Sequence, residues 1–131
     1  MIVLDASVVV ELLRGGPLAG RIGEELVSED GPILAPHLLD LEVLSAFRNL
    51  AHGKRMDSHQ MGQILEMLGA LPVERCPHLG LAERVWELRH NFTVHDAAYI
   101  ALAEVSGGTL YTCDEKLRKG HRARVRVFGA E

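Results

Sequence analysis

Two rhythms of apolar and polar positions alternate along the chain. Short apolar runs of strand length stand at residues 2–5 (IVLD), 32–36 (PILAP), 109–112 (TLYT) and 125–128 (VRVF), with a weaker one at 71–75 (LPVER). Between them apolar residues recur every three or four positions, the spacing of a helix with one buried face. The first such stretch runs from about Ser7 to Arg14; after the break at Gly15-Gly16-Pro17 a second carries Leu18, Ile22 and Leu26. A long helix is predicted from about His37 to His52, with Leu41, Leu44 and Leu50 along one side. Asp57-Ser58 opens the next, with Met61, Ile64, Leu65 and Leu68, and a further one carries Leu81, Val85, Trp86 and Leu88. Residues 97–103 (AAYIALA) are apolar all round, which predicts an enclosed helix, and residues 114–120 (DEKLRKG) read as a short one. Strands separated by helices predict an α/β fold with a parallel sheet, helices on both faces, and 125–128 as an edge strand.

Length and composition narrow this without changing it. The 131 residues suit a single domain over 1–131, with no repeat or linker, and 47% hydrophobic and 24% charged residues are ordinary for a folded chain. A formal net charge of -4 supplies no overall basic field, so any nucleic-acid contact must be local. Cys76 and Cys113 form neither a C-x-x-C pair nor a zinc pattern, which fits a reducing cytoplasm. The apolar start is interrupted by Asp5, Glu11 and Gly15-Gly16, unlike a signal peptide, and no run approaches the ~20 apolar residues of a membrane span. A soluble protein without membrane contact is expected.

The acids carry the candidate chemistry. In open parallel sheets ligands gather outside the carboxyl ends of the strands. Asp5 ends the first strand and Asp114 follows the TLYT strand by two residues, so both should project from one sheet edge. Asp5 could equally cap the helix that follows it. Thr93-Val-His-Asp96 fits a capping box, yet an acid at the mouth of an enclosed helix is costly unless paired or bound to metal. Thr112-Cys-Asp-Glu115 is another such box, in which Glu115 would cap and Asp114 would stay free. Glu42 lies among Leu38, Leu39, Val43 and Ala46, roughly 200° around the helix from Asp40; there it must reach solvent or find a cationic partner. Four carboxylates in one pocket repel by ~4 kcal/mol per pair at ~4 Å with an effective dielectric of about 20. A divalent cation offsets this, and all-oxygen ligation favours Mg²⁺ or Mn²⁺ over zinc.

The segments VLDASVVVELL (3–13), HDAAYIALAE (95–104) and LYTCDEKL (110–117), with Glu42 between them, occur in an order that resembles PIN-domain ribonucleases of the VapC type, the toxins of toxin–antitoxin modules. The similarity extends over almost the whole chain. It implies a PIN-like three-layer α/β/α sandwich with a mostly parallel central sheet of four to five strands. It also implies a Mg²⁺- or Mn²⁺-dependent endoribonuclease whose catalytic and metal-binding acids are Asp5, Glu42, Asp96 and Asp114. Ser7 and Thr112 match the hydroxyl residues that accompany the first and last acids, in a supporting role toward a carboxylate or a metal-bound water. Hydrolysis should leave a 5′-phosphate and a 3′-hydroxyl. A homodimer and a VapB-like antitoxin, seated in a groove beside the active site, are the partners the resemblance implies. Leu12, Leu13, Leu39, Val43 and Phe47 are apolar beyond the needs of one helix face, with core packing as the first explanation.

Lys116, Arg118, Lys119, Arg122, Arg124 and Arg126 concentrate positive charge near the end of the chain. Under strand alternation Arg122, Arg124 and Arg126 share a face and could contact RNA phosphates; the alternative is a charged edge strand that resists aggregation. The basic run 48–55 (RNLAHGKR) reads as a helix end complementing the helix dipole. Among the seven histidines none forms an i, i+4 metal pair, and His95 beside Asp96 reads as a surface or supporting residue rather than a catalytic one. A non-catalytic PIN-like binding module is the rival reading, disfavoured by the intact acid set. A phosphate-accepting receiver lacks the paired acids expected after the first strand.

Overall fold

The computed structural model describes residues 1–52 and 57–129, so the end of the basic run 48–55 lies outside the described residues. Among the described residues five strands, β1 (Ile2–Leu4), β2 (Ile33–Pro36), β3 (Glu74–Cys76), β4 (Thr109–Thr112) and β5 (Arg124–Val127), form one sheet in the order β3-β2-β1-β4-β5. Every pairing is parallel. The expectation of a mostly parallel sheet of four to five strands resolves to five strands, all parallel. β1 is central, and its three residues are buried because both faces are covered.

The same residues form the helices α1 (Ala6–Leu13), α2 (Ala19–Val27), α3 (Leu39–His52), α4 (Ser58–Ala70), α5 (Ala82–Glu87) and α6 (Val94–Ser106). α1 packs with α2, α3 and α4, whereas α6 packs with α5 and against β1, β2 and β4. The result is the expected three-layer α/β/α sandwich. Local chemistry fixes the helix ends. Asp5 caps α1, Asp57 and Gln60 form a reciprocal capping box at α4, and Thr93 caps α6. Gly107 ends α6 at φ 76°, a left-handed conformation that disfavours a side chain.

The core departs from the sequence reading at three helices. On α3 the buried positions are Leu39, Val43 and Phe47, while Leu41 is 72% exposed; the i, i+4, i+8 row meets the core and the Leu41 side turns outward. Leu13, Leu39, Val43 and Phe47 are core residues and Leu12 packs against them, in keeping with core packing as the first explanation. On α4 Ile64 and Leu68 face inward but Leu65 is half exposed, and on the short α5 Trp86 is 64% exposed. By contrast, residues 97–103 of α6 are buried without exception, as an all-apolar helix requires. Residues 114–120 contain only a single 3-10 turn at Glu115–Leu117. Among the described residues no helix is long and apolar enough to cross a membrane.

Candidate active site at the carboxyl edge of the sheet

The strand order makes the site. From β1 the chain adds β2 and β3 on one side, then returns to place β4 and β5 on the other. The connections leaving β1 and β4 therefore diverge, and the crevice outside their carboxyl ends is where an open α/β sheet holds its ligands. Leu4 is level with Tyr111, so Asp5 emerges beside Thr112.

Asp5 is 5% exposed and is gripped from both strand ends. Ser7 Oγ donates to its Oδ1 at 2.6 Å, the Val8 N–H donates to the same oxygen at 3.1 Å, and the Thr112 hydroxyl donates to Oδ2. Ser7 Oγ in turn accepts from the Cys113 N–H at 2.9 Å, and Thr112 Oγ1 accepts from the Asp114 N–H at 3.0 Å. The two hydroxyls thus tie the β1 and β4 ends into one turn-lined cradle around a carboxylate. Asp5 proves to be both a helix cap and an acid of the edge. Burial pushes its carboxyl up to about 6; the hydrogen bonds from Ser7, Thr112 and Val8 oppose that, and the Asp96 charge adds to it.

Asp96 lies in the first turn of α6, where its N–H donates to Thr93 Oγ1 at 3.1 Å. Thr93 supplies the cap, and the Asp96 carboxyl is raised by burial first and by the charge of Asp114, against the opposing influence of Thr93, His95 and Lys116. Asp114 sits just beyond β4, where its side chain accepts the Lys116 N–H at 2.9 Å. The assignment of that cap to Glu115 is corrected: Asp114 caps the 3-10 turn and Glu115 pairs outward with Arg118, because the turn begins at Glu115 itself and not next to Thr112, which leaves Asp114 in the capping position.

Glu42 occupies the first turn of α3, is 28% exposed, and meets neither Lys nor Arg among the described residues. Its Oε1 accepts the Tyr99 hydroxyl at 2.7 Å and its Oε2 lies 3.7 Å from His95 Nδ1. Asp40, two residues earlier, points elsewhere and pairs with Arg75 at 3.0 Å. Tyr99 joins the group together: its hydroxyl feels the charges of Glu42, Asp5 and Asp96. In the sequence Tyr99 reads as one more apolar member of AAYIALA. The available signals were that a buried phenol needs a hydrogen-bond partner and that Tyr99 stands three residues after Asp96, on the same helix face.

Among the described residues the cationic groups that act on these acids are His95 and Lys116. Among the same residues no three Asp, Glu, His or Cys side chains close around one point. A cavity of about 600 Å³ opens beside Glu42, and a second of about 370 Å³ adjoins it through Leu38 and His95. The second is apolar, with Leu79, Trp86 and Val94 on its exposed rim.

The PIN domain family model matches residues 2–122 of the chain. Ribonuclease VapC12 of Mycobacterium tuberculosis is 36% identical over 129 residues, covering 97% of this chain and 98% of that protein. Ribonuclease VapC9 of the same organism is 38% identical over 128 residues, covering 97% and 96%. This chain is a PIN domain of the VapC type. The fold of this PIN domain is shared with a toxin–antitoxin complex from Klebsiella pneumoniae at TM-score 0.75 and 17% identity, over 99% of this chain and 100% of the other. Mycobacterium tuberculosis VapC20, a toxin that cleaves the sarcin–ricin loop, superposes at TM-score 0.66 with 18% identity, over 89% and 92%.

The arginines lie apart from the PIN-domain acids. Arg122 precedes β5, so strand alternation joins only Arg124 and Arg126. Arg124 is level with Thr109 at the opposite end of β4 and donates to the Gly107 carbonyl at 2.7 Å. Arg126 pairs with Glu25 of α2 at 2.8 Å, and its guanidinium lies 4.3 Å from the centre of the Phe128 ring. The Arg122 backbone N–H donates to Glu104 at 2.8 Å.

Proposed function

We propose that this protein is an endoribonuclease that depends on Mg²⁺ or Mn²⁺ and acts as the toxin of a toxin–antitoxin pair. What supports the reading is that Asp5 senses the charge of Asp96 and Asp96 that of Asp114 at the carboxyl edge of the sheet, with no guanidinium paired to Asp5 among the described residues, in a chain whose relatives are VapC ribonucleases. A divalent cation bound there would neutralise the phosphodiester, activate water for in-line attack and stabilise charge on the leaving oxygen.

The chain's own residues have distinct tasks. Asp5 and Asp96 hold the ion, and the burial that keeps their carboxyls high makes a cation the partner that restores them to the charged form. Ser7 and Thr112 lock the Asp5 carboxylate in one orientation. Asp114 and Glu42 would add negative charge for the ion from the neighbouring turn and from α3. Lys116, near Asp96, is placed to draw an RNA phosphate toward the edge. The apolar groove through Leu38, Trp86 and Val94 supports a VapB-like antitoxin seated beside the pocket, and assembly as a homodimer in the cytoplasm accompanies the reading.

Purified protein incubated with RNA tests this. Cleavage is expected with Mg²⁺ or Mn²⁺ and is expected to stop with EDTA or with Asp5→Asn. Cleavage that survives either treatment overturns the mechanism.

A further inference from the structure

We propose that Tyr99 is the positioning residue that aims the Glu42 carboxylate into the acid pocket. The proposal rests on the metal-dependent reading above and adds a residue to it. Glutamate has three rotatable side-chain bonds, and Glu42 lies on the rim of an open cavity with no arginine or lysine among the described residues to direct it. Among those residues one hydrogen bond holds it, from the Tyr99 hydroxyl to Oε1 at 2.7 Å. The tyrosine is 1% exposed within the hydrophobic core, so the donor cannot follow a wandering carboxylate; the carboxylate must come to the donor.

The consequence is geometric. Asp96 and Tyr99 are three residues apart on α6, one turn and one face. α6 therefore carries one acid of the pocket and holds a second acid, 57 residues earlier in the chain, by a rigid phenol. The hydrogen bond fixes the plane of the carboxylate and leaves Oε2 turned toward His95, 3.7 Å from its Nδ1.

Tyr99→Phe removes the hydroxyl and keeps the ring. In metal-free protein, NMR relaxation of the Glu42 side chain should show it ordered in the wild type and mobile in Tyr99→Phe. Mn²⁺ affinity, followed by the electron-spin resonance of the free ion, should fall ~10- to 100-fold in Tyr99→Phe, the range for residues that orient a ligand. In a Glu42→Ala background the same change should cost nothing further. An equally ordered Glu42 in Tyr99→Phe overturns the proposal, as does a loss of affinity that persists in Glu42→Ala. A wild type that binds no Mn²⁺ defeats the metal reading alone, because the side-chain order still decides the role of Tyr99.

Discussion

Two sets of carboxylates share this small protein and live under opposite rules. Glu104 is met by Arg84 at 2.7 and 3.0 Å and by the Arg122 N–H at 2.8 Å, and Glu25 is met by Arg126 at 3.2 and 2.8 Å. Their arginines hold both carboxyls below the usual range, through hydrogen bonds first. At the carboxyl edge of the sheet Asp5 and Asp96 are pushed the other way, by burial first and then by a neighbouring carboxylate. The first set uses negative charge to fasten elements together: Glu104 joins α6 to α5, and Glu25 joins α2 to β5. The second holds its carboxyls by hydroxyl and backbone donors, with no arginine paired to Asp5 among the described residues. Among the described residues arginines are supplied to Glu25, Asp40 and Glu104 but not to Asp5, a contrast that the proposed metal site would explain.

Neutralising one member of each set gives the largest contrast. Asp96→Asn should lower RNA cleavage ~100-fold or more while leaving a cooperative thermal transition, since losing a ligand exceeds losing a residue that merely orients one. Glu104→Ala should do the reverse, preserving cleavage per folded molecule. If Glu104→Ala abolishes activity in folded protein, the division between the two sets is wrong.

The pH dependence of stability in metal-free protein sharpens the same contrast. The native Asp5 carboxyl titrates at about 6 against an ordinary 3.8, so between those values the folded state binds more protons than the unfolded state. Stability should therefore fall as pH rises through this window, with the loss complete above about 6, where the displacement amounts to ~3 kcal/mol. Urea unfolding across the window measures it, and Asp5→Asn should flatten the curve. The depressed carboxyls of Glu25 and Glu104 contribute with the opposite sign, stabilising above their ordinary range and losing that contribution in acid.

Smaller effects belong to the fastening set. Truncating Glu104, whose side chain is 10% exposed, should cost about 2 kcal/mol in chemical denaturation, the scale of hydrogen bonds to a charged group. Gly16→Ala should cost about 1 kcal/mol and leave cleavage intact, because the new methyl would fall 2.2 Å from Glu11 Oε1. Glu11 would have to swing aside and loosen the bond it accepts from the Leu18 N–H at 2.8 Å. An unchanged midpoint for Gly16→Ala would show that this carboxylate shifts without penalty.

Much of this was legible in the sequence, for physical reasons that also explain the rest. The parallel sheet, the enclosed α6 and the arrival of Asp5 and Asp114 at one edge follow from strand-length apolar runs and the placing of acids at their ends. Asp40 and Glu42 separate by helix geometry alone, and Arg75 confirms the difference. What periodicity cannot supply is which of two apolar rows wins the core: Leu41 and Leu44 read as well as Leu39 and Val43 until the sheet is in place. Nor can it distinguish Asp114 from Glu115 as the cap, which turns on whether the segment winds as an α-helix or a 3-10 turn. Tyr99 is hidden for a third reason: its ring belongs to the core pattern and only its oxygen belongs to the site.

The hydroxyl of Thr112 reaches Asp5 across 107 positions of sequence, nearly the whole length of the chain. During synthesis, β1 emerges first and waits for β4 before its acid has a cradle. A nascent chain interrupted before β4 already contains Asp5, Glu42 and Asp96, yet lacks the contact that fixes the Asp5 carboxylate. The cradle around Asp5 therefore closes only once the chain has been made as far as Thr112.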